Sequence, residues 1–145
     1  LLVLFLIRVF IMKRMKRQGK VYTLISDGEL QTETMGATAR NAAKRKLSNL
    51  VFILDNNSFC AMGKTKEILD VDPKHLFYDW KITEIDGHDY NAIDMATSIV
   101  CDIPHLIIAN THKGFGVSRF VDNNLYHYKQ LSDEEYNEAL EELNG

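Results

Sequence analysis

The sequence predicts a single α/β domain with a doubly wound, mostly parallel sheet and helices on both faces. Short runs rich in β-branched residues alternate with longer stretches of helical periodicity, which is typical of consecutive βαβ units. The run from Leu50 to Leu54 is apolar on both sides, as expected for a parallel strand with helices on both faces. A length of 145 residues, 46% of them hydrophobic and 26% charged, is typical of one globular domain.

The predicted elements alternate along the chain. Helix 29–46 has an apolar stripe at helical spacing, which we assign to the core. The last helix begins with a capping box in which Ser132 is the N-cap and Glu135 is the third helical residue, and it ends at Gly145. The predicted strands are 20–26, 49–55, 81–86 and 105–110, and the predicted helices are 29–46, a segment that starts at Pro73, 89–101 and 132–145.

Residues 1–20 differ in character from the rest of the chain. They form an apolar run of about a dozen residues, interrupted by Arg8 and followed by basic residues. A membrane-spanning helix needs roughly twenty apolar residues, and a signal peptide has a basic segment before its apolar part. We therefore predict neither, and interpret residues 1–20 as an atypical helix at a fragment edge, with the domain proper at 21–145.

Charge and cysteine content narrow the class of protein. The net charge is −3, with six bases and no acid in residues 1–20 and six acids and no base in residues 132–145. The basic segment lacks interleaved aromatic residues, so we predict no nucleic-acid binding. Cys60 and Cys101 are far apart and belong to no CxxC motif, which indicates neither a disulfide framework nor a zinc site. A cytoplasmic location agrees best with this composition.

Oxygen-bearing residues follow two neighbouring strands. Asp27 ends the first strand and Asn57 follows the second, and ligands of open parallel sheets bind beyond the carboxyl ends of the strands. Carboxylate and amide oxygens suit magnesium or calcium rather than zinc. Gly28 lacks a Cβ, so a phosphate can approach the N–H groups of the following helix. Each motif alone is common in turns, but together they predict a site for magnesium and a diphosphate.

The chain resembles the thiamine diphosphate enzymes, whose fingerprint is Gly-Asp-Gly, a helix, and then Asn about thirty residues after the Asp. Here the interval from Asp27 to Asn57 is 30 residues. The resemblance is to the transketolase branch, and it covers nearly everything after residue 20. Its motifs occur in the family's order as SDGELQ (26–31), NLVFILDNNSF (49–59), EIDGHD (84–89), HLIIANTHKGFGVS (105–118) and YHYKQLSDEE (126–135). The resemblance implies the thiamine diphosphate-binding fold.

The resemblance also implies roles for individual residues. It implies that Asp27 binds magnesium through its carboxylate, Asn57 through its amide oxygen and Phe59 through its backbone carbonyl. By the same resemblance, Gly28 contacts the diphosphate through its backbone. His127 matches a catalytic family histidine that lies over the diphosphate and near the substrate. Ala61 occupies a position where the family often has an isoleucine against the thiazolium ring of the cofactor.

Some positions depart from the family pattern. Ser26 stands where glycine is usual, which keeps a small residue. Thr32 and Ala37 stand where many relatives have glutamates that connect paired active sites, so communication between sites is not indicated by this sequence. Large side chains fill residues 1–20, where the family has small ones. The remaining features have ordinary interpretations: a turn before a helix for His88, a backbone turn for 113–116, and surface or core positions for His75, His105 and His112.

The resemblance implies the diphosphate-binding part of a transketolase-like enzyme, which transfers a two-carbon ketol unit between sugar phosphates. It further implies a partner pyrimidine-binding subunit or domain, a dimer of heterodimers, and no activity of this chain alone. The chain is then the N-terminal subunit of a split transketolase or a truncated copy of a long one. Two alternatives stay open: another thiamine diphosphate enzyme, such as deoxyxylulose phosphate synthase or a 2-oxo acid dehydrogenase component, and a non-catalytic phosphate-binding module.

Overall fold

A computed structural model describes residues 2–144, with side chains described from Leu6 onward. A short 3-10 turn at Asn124–His127 precedes the last helix. In chain order the helices and strands are α1 (Leu2–Arg14), β1 (Val21–Ser26), α2 (Asp27–Leu30), α3 (Glu33–Lys44), β2 (Leu50–Asn56), β3 (Phe59–Cys60), β4 (Gly63–Lys64), α4 (Thr65–Ile68), α5 (Pro73–Leu76), β5 (Lys81–Asp86), α6 (Tyr90–Ser98), β6 (His105–Asn110) and α7 (Asp133–Asn144).

The main sheet has four parallel strands in the order β1-β2-β6-β5. Its register aligns Leu24, Ile53 and Ile107 across three strands. The carboxyl ends of these strands therefore lie at one edge, where Ser26 pairs with Asp55 and Asn56 pairs with Asn110. The predicted α/β fold with a parallel sheet is confirmed. A separate antiparallel hairpin, β3–β4, follows β2 and was not predicted.

One face of the sheet carries the larger core. Its aromatic centre is Phe52 of β2, which packs against Phe77 and Trp80 at ring-centroid distances of 6.1 and 5.1 Å. The Trp80 indole Nε1 donates to the Ala39 carbonyl of α3 at 3.0 Å and so fixes α3 over this face. The predicted apolar stripe of α3 is confirmed as core, since Met35, Ala39 and Ala42 are buried.

The other face of the sheet is covered less completely. Helix α6 packs here through Ala96, which forms a small buried cluster with Val51 and Ile107. The side chains of β1 on this face are exposed among the described residues, with Tyr22 at 46% and Leu24 at 72%. Helices do lie on both faces, as predicted, but the second layer leaves β1 open to solvent.

The predicted helix 29–46 is wrong as one continuous element, since the chain forms two helices here. Ser26 caps α2 in a reciprocal capping box with Glu29. Thr32 then adopts extended dihedral angles, φ −91° and ψ 140°, as the N-cap of α3. The predicted helix at Pro73 is a single turn, because Phe77 leaves the helical conformation and turns into the core.

The two terminal helices follow their predictions in part. The capping box of α7 is confirmed, with Glu135 N–H 3.2 Å from Ser132 Oγ and Ser132 N–H 3.1 Å from Glu135 Oε2. Its predicted end at Gly145 lies outside the described residues. Helix α1 buries Val9, whose carbonyl accepts a hydrogen bond from Asn49 at 3.2 Å. None of the helices described is long and apolar enough to cross a membrane.

Candidate functional site

Asp27 is the first residue of α2, directly after β1, and its side chain is buried at 4% exposure. Neither carboxylate oxygen accepts a well-formed hydrogen bond from the described part of the chain. Burial raises the pKa of this carboxyl, and the nearby Asp55 charge adds to the rise, while the backbone N–H groups of Ser58, Gly28 and Phe59 close to it oppose the rise. The Asp27 carboxylate therefore lies beside the loop after β2, with unused acceptor capacity.

That loop holds the predicted residue Asn57. Its side-chain oxygen accepts a hydrogen bond from Phe59 N–H at 2.9 Å, and its amide nitrogen donates to Asp55 Oδ2 at 3.1 Å. Thr111, directly after β6, donates from its hydroxyl to the other Asp55 oxygen. The carboxyl ends of β2 and β6 are thus joined by a network centred on Asp55. In this conformation the Asn57 oxygen is used within its own loop.

The hairpin approaches Gly28 so closely that there is little space for a side chain at this position. A Cβ added at Gly28 would lie 3.0 Å from Cys60 Cβ, so a side chain at position 28 would push β3 away from α2. Ala61 lies in the turn of this hairpin, between Cys60 and Gly63. The Asn124 side chain donates to the Cys60 carbonyl at 3.1 Å and accepts from Gly63 N–H at 3.3 Å, in the amide orientation that satisfies both. These contacts tie the hairpin to the 3-10 turn.

His127 ends the 3-10 turn and is exposed. Its Nδ1 lies 3.4 Å from Lys113 Nζ, so the two side chains face each other from the two ends of the segment after β6. We call residues 111–131 the site loop. Its first turn depends on Gly114, whose φ is +71° and where a Cβ would lie 2.5 Å from the Phe120 carbonyl oxygen. The predicted backbone turn at 113–116 is confirmed.

A stack of rings borders the same region. His88, in the turn before α6 as predicted, lies over Phe115 at a centroid distance of 3.8 Å. Its Nε2 accepts a hydrogen bond from His112 N–H at 2.9 Å. His112 in turn pairs with Asp122 at 3.0 Å across the loop. His88 and His112 therefore stabilise the conformation of the site loop, while the interpretation of His75 as a surface residue is confirmed by its 90% exposed side chain.

Two of the predicted site residues line cavities, and they line different ones: Asn57 lines the first and Asp27 lines the second. One, of about 500 Å³, is lined at its polar end by Asp55, Asn57 and Lys113 and extends over the open sheet face to Leu24. Asp27 lines the second, of about 380 Å³, with Ser58 and two acidic residues of segment 65–73. The structure brings Asp27 next to the Ser58–Phe59 backbone and His127 next to Lys113. The metal set of Asp27, Asn57 and Phe59 stays a prediction.

Sequence reasoning missed two residues that line the first cavity, Lys113 and Asp55. Asp55 is the last residue but one of β2, and Lys113 follows the end of β6, so both lie at the same edge of the sheet as Asp27. Position relative to the strand end was therefore the available signal, but Asp55 was included in its strand and Lys113 was treated only as part of a turn. Together they add a carboxylate and an ammonium group to the edge at which a metal-bound diphosphate is predicted.

The residues present are chemically suited to a divalent cation. A buried carboxylate with two unpartnered oxygens is costly without a counter-charge, and Asp27 is in that condition. The side chains of Lys113 and His127 could complement an anionic group on the same edge. For Asn57 to contribute its amide oxygen, its side chain must release Phe59 N–H.

Residues 14–144 match the model of the family described as the thiamine diphosphate binding domain of transketolase. The chain is 37% identical over 136 residues to one of the subunits of an apulose-4-phosphate transketolase from Actinobacillus succinogenes, covering 90% of this chain and 49% of that protein. It is 31% identical over 129 residues to a 6-deoxy-6-sulfo-D-fructose transketolase subunit of a Clostridium species, covering 85% and 47% respectively. A crystal structure of transketolase from Campylobacter jejuni superimposes with a TM-score of 0.78 at 27% identity, covering 88% of this chain and 21% of that one.

Proposed function

Because the chain belongs to the family of transketolase thiamine diphosphate binding domains, we propose that it holds the diphosphate end of this cofactor in an enzyme that transfers two-carbon ketol units. The observation that carries the proposal is the buried Asp27 carboxylate, which directly follows a parallel strand and accepts no well-formed hydrogen bond from the described residues. A magnesium ion bound there would neutralise the carboxylate and link it to a diphosphate. The cofactor, when bound, supplies the electron sink of the reaction.

The chain's own groups then have separate tasks. Asp27, Asn57 and the Phe59 carbonyl would hold magnesium, as the family pattern implies. Gly28 would contribute its backbone to the diphosphate. His127 would act beside the diphosphate and the substrate, and Ala61 would border the thiazolium ring with less contact than a larger side chain gives. Lys113, 3.4 Å from His127, would add a positive charge on the same side.

We also propose that catalysis needs a pyrimidine-binding partner. The chain spans about half the length of the curated relatives it matches, and two of those are named as subunits. Four large apolar side chains on the hairpin and the site loop are more than 60% exposed, which favours contact with another protein surface. They are Met62 (71%), Phe115 (63%), Leu125 (61%) and Tyr128 (71%). A dimer of heterodimers in the cytoplasm, acting on sugar phosphates, completes the proposal.

Ligand binding by the purified chain tests the metal-dependent diphosphate site. We expect magnesium with thiamine diphosphate to raise the free energy of unfolding by roughly 2.7 kcal/mol at a hundred times the dissociation constant. Magnesium with ATP serves as the comparison for the alternative of a general phosphate-binding module. A larger shift with ATP would contradict the proposal and favour that alternative.

A pair of variants locates the site. Asp27→Asn keeps the shape of the side chain but removes the charge, so we expect at least about tenfold weaker magnesium-dependent binding of thiamine diphosphate in calorimetry. The matched control is Asp70→Asn, an exposed carboxylate that lines the same cavity. Equal affinities of Asp27→Asn and the unmodified chain would remove Asp27 from the metal site.

A further inference from the structure

We propose that Glu135 of α7 is a positioning residue for His127, holding the end of the site loop so that the imidazole faces Lys113. The inference rests on the proposed function for the role of His127. The contacts from which it is argued are independent of that function. They concern two separate oxygens of one carboxylate, which serve the helix and the loop respectively.

The first oxygen, Oε2, belongs to the helix. It accepts the Ser132 N–H at 3.1 Å and so completes the capping box of α7. The second oxygen, Oε1, belongs to the loop. It accepts from Lys129 Nζ at 2.5 Å, from Tyr126 Oη at 3.2 Å and from Arg119 Nη1 at 3.3 Å. A capping glutamate needs only the first contact, so the cap does not account for the convergence of three loop side chains on Oε1.

These loop contacts bracket His127 in the chain. Tyr126 precedes it and Lys129 follows it by two residues, and both are bound to the same carboxylate oxygen. Lys129 Nζ also lies 5.3 Å from the centre of the Tyr126 ring, which adds a cation–π attraction between the two anchors. The Tyr126 ring packs against Phe120 at 4.6 Å. With Tyr126 and Lys129 both held, the backbone that carries His127 is restrained on either side.

The carboxylate is suited to this task because it is shielded and charged. The Glu135 side chain is 13% exposed, while that of Arg119 is 46% exposed and that of Lys129 38%. The hydrogen bond from Lys129 lowers the pKa of Glu135 to about 2. The Glu135 carboxylate is therefore ionised throughout the neutral pH range. Its own charge does not change there with pH.

Nuclear magnetic resonance of the full chain tests the positioning directly. In the unmodified chain we expect cross-relaxation between the His127 ring protons and the Lys113 side chain, because the two nitrogens are 3.4 Å apart. Glu135→Gln cannot satisfy Ser132 N–H and the three loop donors together, so we expect that signal to disappear. We also expect magnesium-dependent affinity for thiamine diphosphate to fall about tenfold, the loss of roughly one charge-assisted hydrogen bond.

Two control variants separate positioning from helix stability. Ser132→Ala removes the hydroxyl that caps Glu135 N–H but leaves the Oε1 contacts, and Glu138→Gln removes the 2.7 Å ion pair with Arg119 but touches neither Tyr126 nor Lys129. Both should keep the His127–Lys113 signal and bind within about twofold of the unmodified chain. Loss of the signal in Ser132→Ala to the same degree as in Glu135→Gln would overturn the proposal in favour of a purely structural cap.

The remaining outcomes also decide whether Glu135 positions His127. If Glu135→Gln does not fold, Tyr126→Phe removes one anchor without changing charge and should weaken the His127–Lys113 signal; an unchanged signal overturns the proposal. Retention of the signal in a folded Glu135→Gln likewise overturns it. If the unmodified chain fails to bind thiamine diphosphate, the proposed function fails, while the resonance measurement still tests the positioning by Glu135.

Discussion

The Asp27 carboxylate is buried and accepts no well-formed hydrogen bond from the described residues. When a chelator removes divalent cations, we therefore expect its charge to lower the free energy of unfolding. Burial raises its pKa in the folded chain above the ordinary 3.8. The folded state then holds this proton more tightly than the unfolded state, so the contribution of Asp27 to stability falls as pH rises from 3.8 through the raised pKa. Above that window the carboxylate is charged, and the nearby backbone N–H groups of Ser58, Gly28 and Phe59 offset only part of the cost of burying it.

Asp27→Asn should therefore stabilise the metal-free chain at neutral pH, by on the order of 1 kcal/mol, because it replaces a buried charge by a neutral amide. The measurement is urea unfolding in a chelator at several pH values. The difference between variant and unmodified chain should be small below about pH 4 and grow as pH rises. Carboxyls with lowered pKa, such as Glu84 and Glu135, are common to both proteins and cancel in this difference.

The opposite outcome is informative at the same scale. If Asp27→Asn is less stable than the unmodified chain at neutral pH in the presence of a chelator, the carboxylate has a stabilising partner within the protein. A bound cation would then not be needed to explain its burial. Asp70→Asn, an exposed carboxylate in the same cavity, should leave the unfolding curve unchanged at every pH.

At the scale of elements, Trp80 joins three parts of the larger core. It contacts Phe52 of β2, packs edge-on against Phe77 at 4.9 Å, and donates from its indole to the Ala39 carbonyl of α3. Trp80→Phe removes the indole N–H and leaves unfilled space, so we expect a loss of about 2 kcal/mol in the free energy of unfolding. Tyr78→Phe, at a 70% exposed aromatic side chain nearby in the chain, is the matched control and should change it by less than about 0.5 kcal/mol. A loss for Trp80→Phe no greater than that of the control would mean that α3 is not held to the sheet at this point.

The strands were predictable because their local pattern and their tertiary role agree. The run Leu50–Leu54 is apolar and, apart from the half-buried Ile53, is buried in the structure. The capping box at Ser132 and Glu135 was equally local, since both partners lie within one helical turn. The break between α2 and α3 was missed because the apolar stripe behind the prediction begins only at Met35, after the break, while the break itself depends on the extended conformation of Thr32.

Interactions between segments that are distant in the chain could not be predicted from the sequence. Spacing indicated Asp27 as a site residue, but the lack of a partner for its oxygens and its closeness to Ser58 follow from how α2 meets the loop after β2. The facing of Lys113 and His127 depends on a turn whose end is fixed by contacts from α7. Pattern gives an element's type and its polar ends, whereas the direction of a side chain is decided by tertiary packing.

At the scale of the whole molecule, the exposed surfaces predict that the chain cannot complete the reaction alone. Met62 of the hairpin and Phe115 of the site loop are exposed apolar side chains, and the second face of β1 is open at Leu24. Catalysis by bound cofactors depends on fixing both reacting groups, and small misplacements cost about a hundredfold in rate. One end of the cofactor held by this chain would leave its reactive ring free to move.

We therefore expect the purified chain, with magnesium and thiamine diphosphate, to show ketol transfer at least about a hundredfold below that of a mixture with a pyrimidine-binding transketolase subunit. The mixture should also bury Met62, which is 71% exposed here, so Met62→Ser should weaken assembly while leaving cofactor binding by the isolated chain unchanged. Glu67→Gln, a surface change on α4, serves as the control for assembly. Robust ketol transfer by the chain alone would show that one polypeptide of this length fixes the whole cofactor, and the requirement for a partner would then be wrong.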